Sequence, residues 1–193
     1  MTRKIAVVGA PASGKTLFSI NWCEYLGATR LYYYELNGTG RRKGTITPSE
    51  ARKRMVSKGR SQPARTFIIN QPGQSPSRLA ITDTFSLLHK TILNAKERMQ
   101  LSFTLKTLAT TDIILNLVDL TCSDPHQVEF IAAVDRHLSE FSTRRAVHYR
   151  LLGNKIDLLK NRSKIPGWPV SGPLIPISVK TRAGFELLRE KIF

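Results

Sequence analysis

Hydrophobic and polar positions along this 193-residue chain follow two alternating rhythms. Short apolar runs rich in β-branched residues predict buried strands: KIAVVG at 4–9, TFIIN at 66–70 and DIILNLVDL at 112–120. HYRLLGN at 148–154 and LIPIS at 174–178 read the same way. Between them, apolar residues recur at three- and four-residue steps, as one face of a helix requires. Phe85, Leu88, Ile92, Ala95 and Met99 predict one helix; Val128, Ile131, Val134, Leu138 and Phe141 another; Phe185, Leu188 and Ile192 a last one. Residues 15–26 predict a helix directly after the first strand. This alternation predicts an α/β domain with a mostly parallel central sheet flanked by helices, spanning residues 1–193 as one unit.

Turn chemistry fills in the rest. LYYYEL at 31–36 reads as a half-buried strand, so Tyr32, Tyr33 and Tyr34 are assigned to packing rather than to stacking on a ligand. NGTGRRKGT at 37–45 is polar and glycine-rich and predicts a mobile loop. Thr47, Pro48 and Glu50 have the spacing of a capping box that starts a helix. QPGQSP at 71–76 and NRSKIPGWPVSGP at 161–173 predict loops.

Composition changes this picture little: 41% hydrophobic and 23% charged residues suit an ordinary soluble globular domain. Cys23 and Cys122 form no paired motif, which suits a reduced compartment. The opening MTRKIAVVG has too short an apolar run for a signal peptide, and no transmembrane segment of roughly 20 apolar residues occurs. Threonine at position 2 and a KIF ending encode neither myristoylation nor prenylation, so a cytoplasmic protein is expected. Net charge changes the picture more. It is +16, and the segment 41–65 carries nine basic residues against Glu50 alone. That asymmetry predicts an anionic partner on this segment, RNA or an anionic lipid surface, against the alternative of a merely solvated face.

The sharpest chemistry lies at Gly9-Ala10-Pro11-Ala12-Ser13-Gly14-Lys15-Thr16, which fits GxxxxGK[ST] between a predicted strand and helix. Glycines let the backbone curl so that successive N–H groups face phosphate oxygens, and the helix N-terminus adds partial positive charge. Lys15 can reach the β and γ phosphates, and the Thr16 hydroxyl can ligate Mg²⁺. Two further motifs follow in order: Asn154-Lys155-Ile156-Asp157 after one predicted strand and Ser178-Val179-Lys180 after the last.

With these three motifs the chain resembles the Ras-like and Arf-like small GTPases of the P-loop NTPase superfamily, whose base motifs read NKxD and SAK. The resemblance runs from the first strand to the last helix and implies the three-layer P-loop NTPase fold. It implies that Asp157 accepts from the guanine ring and amino nitrogens, a donor pair adenine lacks. It further implies that Asn154 braces the loop and that Lys155 and Lys180 cover the base. The Val179 N–H would address the guanine oxygen.

The family's DxxG has no counterpart after TFIIN, where the chain reads Asn70-Gln71-Pro72-Gly73-Gln74. On this alignment Gly73 meets the γ phosphate and Gln74 orients the attacking water, while Asn70 replaces the metal-supporting aspartate. A weakened Mg²⁺ requirement is then expected, restored by Asn70→Asp. Thr45 is chosen as the first-switch metal threonine over Thr47, which has the capping role, and over Thr39. Asp119 is read as a strand-end aspartate, and the four histidines share no metal-ligand spacing.

The resemblance thus implies a protein that binds GTP, GDP and Mg²⁺, hydrolyses GTP slowly and acts as a molecular switch on an effector or regulator protein. A nucleotide-binding assembly module with poor hydrolysis is the alternative.

Overall fold

The computed structural model describes residues 2–37, 40–57, 64–70, 78–88, 90, 92–159, 170 and 172–193. Among the described residues eight strands join in one sheet: β1 (Thr2–Gly9), β2 (Leu31–Asn37), β3 (Gly40–Ile46), β4 (Arg65–Asn70), β5 (Arg78–Asp83), β6 (Ile113–Asp119), β7 (His148–Asn154) and β8 (Leu174–Pro176). Their spatial order is β3-β2-β4-β5-β1-β6-β7-β8. From β5 to β8 every pairing is parallel, whereas β3–β2, β2–β4 and β4–β5 are antiparallel.

Among the described residues five helices flank the sheet: α1 (Lys15–Tyr25), α2 (Pro48–Ser57), α3 (Ala95–Ala109), α4 (Pro125–Arg145) and α5 (Phe185–Ile192). On one face, Ile5 and Val7 of β1 join Phe67, Leu79 and Ile81 beneath α1, α2 and α5. There Phe185 makes edge-to-face contacts with Phe18, Trp22 and Tyr25, tying the last helix to the first. On the other face, Ala6, Val8 and Ile114 pack under Leu108 of α3 and Leu138 of α4. The result is the expected three-layer α/β architecture. No helix among the described residues is long and apolar enough to cross a membrane.

Three local expectations change. Residues 40–45 of the expected loop 37–45 belong instead to β3, the edge strand of a hairpin in which Tyr33 lies opposite Gly44. A Cβ on Gly44 would sit 2.8 Å from the Tyr33 hydroxyl, so the small residue is what lets this ring lie down. The helix expected from Phe85 starts only at Ala95, where Asn94 and Glu97 form a capping box. Before it, the N–H groups of Thr84 and Leu87 donate to the carbonyls of Val7 and Gly9, which holds that stretch along β1 instead. Finally, β5 was not expected at all. The Thr47 capping box is present: the Glu50 N–H donates to Thr47 Oγ1 and the Thr47 N–H to Glu50 Oε2.

Candidate functional site

The turn from β1 into α1 is shaped by two glycines that no other residue could replace without rearrangement. Gly9 has φ +147°, and a Cβ there would lie 2.3 Å from the Leu117 carbonyl oxygen. Gly14 has φ +100°, and its Cβ would lie 2.5 Å from Asn154 Nδ2. Between them Ala12 adopts a left-handed conformation at φ 60°. The loop therefore lies against the ends of β6 and β7 with only backbone between.

Lys15 is the first residue of α1 and is buried. Its Nζ donates to the carbonyls of Gly9 (3.0 Å) and Ala10 (2.8 Å) and to Ser86 Oγ (2.9 Å). All three acceptors are neutral. Burial lowers its pKa to about 8, against the raising influence of Asp83. Next to it, Thr16 Oγ1 donates to Asp83 Oδ2 at 2.6 Å. Asp83 ends β5, is buried, and has its pKa raised to about 6 by desolvation, although Thr16, Lys15 and Arg65 all pull the other way. Its second oxygen, Oδ1, is buried without a hydrogen-bond partner. Arg65, one strand over and level with Asp83, is buried beside Glu35 at 3.5 Å and lies over the Tyr33 ring.

The second half of the site is held to the first by one amide. Asn154, at the end of β7 and buried, donates from Nδ2 to the Ser13 carbonyl (2.8 Å) and accepts at Oδ1 from the Val179 N–H (2.9 Å). Asp157 lies in the single 3₁₀ turn Ile156–Leu158 and accepts from Ser178 Oγ at 2.6 Å. Ser178 Oγ also accepts from the Thr181 N–H, so it shapes the turn that exposes Lys180. Lys155 has φ +71°, and its Nζ reaches Asp119 Oδ2 at 2.5 Å.

The structure thus gathers Gly9, Ala12, Ser13, Gly14, Lys15, Thr16, Asn154, Lys155, Asp157, Ser178, Val179 and Lys180 along the carboxyl edge of the parallel strands. Brackets of loops at that edge are where open α/β sheets bind ligands. One detail differs from expectation: the Val179 N–H already donates to Asn154 and acts as a brace of the loop. Asp119, read as a strand-end residue, both holds Lys155 and caps the following turn through the Thr121 N–H. His126, His137 and His148 are exposed, and His89 falls outside the described residues.

Two assignments are overturned. Asn70 pairs with Arg78, which lies level with Thr2 at the start of β1. Five residues of strand separate that level from Asp83, so Asn70 lies roughly 17 Å from Asp83 and the phosphate loop beside it. The chain leaves β4 and re-enters β5 at the edge opposite the phosphate loop. Gly73 and Gln74 fall outside the described residues, as does Thr39. Thr45 is exposed on β3 opposite Tyr32, level with Ala80 and three strands from β5. That again puts it roughly 17 Å from Asp83. It is an edge-strand residue because 40–46 pairs with β2 instead of crossing the phosphates.

No protein-family model matches the sequence, and no curated protein matches it. Solved structures do. Era in complex with MgGDPNP and a segment of 16S ribosomal RNA superposes with a TM-score of 0.62 at 18% identity, over 99% of this chain and 55% of that one. The SsGBP and GDP complex gives 0.55 at 18% identity, over 99% and 48%. The cytosolic domain of the T. maritima FeoB iron transporter in its GMPPNP form gives 0.59 at 18% identity, over 100% and 63%. The chain spans about half the length of these proteins.

The fold is that of the P-loop GTPases. β5, one of the two strands that pair with β1 in parallel, brings Asp83 to the Thr16 hydroxyl. Asp83 is followed by Thr84-Phe85-Ser86-Leu87, and the Ser86 hydroxyl oxygen meets Lys15 Nζ. Asp83 and Ser86, which the sequence did not single out, are the side chains that meet Thr16 and Lys15. The available signal was the apolar alternation of Leu79 and Ile81 ending on a carboxylate, a strand pattern overshadowed by the glycine and glutamine of 73–74.

Proposed function

We propose that this chain binds GTP and GDP with Mg²⁺ at the carboxyl edge of β1, β5, β6 and β7, and hydrolyses GTP slowly as a switch. The observation that carries this reading is the Asn154 amide, which joins the phosphate loop at Ser13 to the base loop at Val179. Such a bridge sets a fixed span between the two halves, which a nucleotide's base and phosphates would fill.

Each half has its task. Lys15 would exchange its neutral carbonyl acceptors for phosphate oxygens, a charge-assisted gain that also supports its ionised form. Asp157, steadied by Ser178, would accept the paired guanine donors, and adenine would leave that carboxylate poorly matched. Lys155, steadied by Asp119, would cover the base.

The residues present fit Mg²⁺. Asp83 offers a buried oxygen without a partner and Thr16 a hydroxyl, both hard donors. Among the described residues no cluster of three or more His, Cys, Asp or Glu side chains could hold a metal by itself. One carboxylate and one hydroxyl suit an ion that also takes phosphate and water oxygens. Bound there, Mg²⁺ would neutralise charge on the phosphates.

Slow hydrolysis follows from Leu87, which has no polar group for orienting water in the position after Ser86. An effector or regulator protein would read the bound state beside Asp83, where the chain enters β4 at Ala64 and leaves β5 at Thr84.

Competition of GTP, GDP and ATP against a fluorescent GDP analogue tests the binding. ATP should compete about a hundredfold less well or worse, and Asp157→Ala should abolish the difference. Equal competition by ATP in the wild type would reject guanine recognition. Single-turnover hydrolysis of Gln74→Ala and Ser86→Ala then assigns the catalytic edge. Loss with Gln74→Ala would return the water-orienting role to Gln74.

A further inference from the structure

Among the described residues, the basic stretch 41–65 does not form one patch. Arg65 is buried beside Glu35, and Arg52 is paired with Glu24 at 2.7 Å. What the sheet assembles instead is a face drawn from five strands. Residues paired directly across strands share a face, and alternate residues on one strand point to opposite faces. Leu31 and Tyr33 of β2 point into the core, so Tyr32 and Tyr34 point outward, and they are 59% and 46% exposed. Lys43 lies opposite Tyr34 and Thr45 opposite Tyr32, both exposed. Through β4 and β5 the Tyr32 level continues to Lys4, and Arg78 stands one step along the same face; both are exposed.

Helices α3 and α4 pack on this side of the sheet against β1 and β6, while Tyr32, Tyr34, Lys43 and Thr45 of β2 and β3 stay open. None of the described strand residues on the face is acidic. The nearby Asp112 carboxylate accepts the Lys4 backbone N–H at 2.7 Å.

We propose that this outer face of β2 and β3 binds single-stranded RNA, with Tyr32 and Tyr34 stacking on successive bases and Lys43, Arg78 and Lys4 meeting phosphates. The two rings stand on one strand two residues apart, about 6.6 Å along it, which lets each take its own base. Exposed aromatics on a flat sheet beside cations are how unpaired bases are held, since every base has a π-face and duplex bases are hidden in the stack. The face's charge complements a phosphodiester chain. The Thr45 hydroxyl beside Tyr32 is placed to meet a ribose 2′-OH, which favours RNA over DNA. This surface is separate from the nucleotide site, and its test does not depend on GTP binding.

Anisotropy of a labelled oligouridylate of about 12 nucleotides, titrated with the 193-residue chain at several salt concentrations, tests it. The wild type should bind, and Tyr32→Ala with Tyr34→Ala should weaken binding about tenfold or more. Tyr32→Phe with Tyr34→Phe should restore it, with thermal melting unchanged in both pairs. Lys4→Gln, Lys43→Gln and Arg78→Gln together should lower the slope of log affinity against log salt by about 2. The proposal is overturned by any of four results: no binding by the wild type, equal binding by the alanine pair, equal binding of a duplex, or equal binding of DNA of matching length. Phosphatidylserine vesicles bound in place of RNA would reassign the face to lipid and overturn it as well.

Discussion

Asp83 carries opposing demands. On the proposed reading it is ionised when it supports a cation, yet it is buried where water cannot stabilise its charge. Its pKa, raised to about 6, lies above that of an unfolded aspartate. The folded chain therefore holds the extra proton more tightly, and this stabilisation is complete below about pH 4 and lost as pH rises through 6. Without nucleotide, Asp83→Asn should be the more stable protein at neutral pH, by about 3 kcal/mol. The advantage should shrink as pH falls toward 4, because Asp83 takes up its proton in the folded chain below about pH 6 and no longer buries a charge. Urea unfolding of both proteins across this range checks it, and a pH-independent difference would remove burial as the cause. Saturating Mg²⁺ and GTP should reverse the order in favour of the wild type. Arg65 belongs to the same balance, since its charge beside Asp83 favours the ionised carboxylate.

The elements divide into those that build the site and those that face outward. Helix α5 is short, with only three buried residues, but Phe185 among them touches three aromatic rings of α1. Because α1 begins at Lys15, the α5 packing steadies the phosphate loop from behind. Phe185→Ala should cost about 3–5 kcal/mol of stability. Tyr32→Ala, on the open hairpin, should stay within about 0.5 kcal/mol. Chemical denaturation of the two side by side tests the division, and comparable losses would mean that the outer hairpin is packed in solution.

Across the whole molecule, the site is divided among β1, β5, β6, β7 and the turn before α5, and the Asn154 amide spans the halves. A ligand filling both should act on them together. Guanine nucleotide at about a hundredfold over its Kd should add about 2.7 kcal/mol to the unfolding free energy. Hydrogen exchange should slow in concert at 9–16, 154–157 and 178–181. Protection confined to 9–16 would mean that phosphates bind but the base is not read. Net charge of +16 is also expressed at this scale, since the exposed cations lie on several strands and only the sheet gathers them.

Much of this was legible in the chain itself. The strands at 4–9 and 112–120, the phosphate loop, and the order of Asn154–Asp157 and Ser178–Lys180 follow from periodicity and from residues whose chemistry is local. Glycine at 9 and 14 and the Thr47 capping box are likewise short-range decisions. Periodicity reports that a segment is a strand, but it carries no direction and no neighbour. TFIIN was recognised as a strand, yet only the sheet shows that it runs antiparallel, sends Asn70 to the far edge and leaves β5 to deliver Asp83. The same holds for Thr45, Tyr32 and Tyr34, whose surroundings depend on the hairpin closing at the sheet edge. Local chemistry determined which groups this protein owns; strand direction and pairing, set by long-range burial and hydrogen bonding, decided which of them meet.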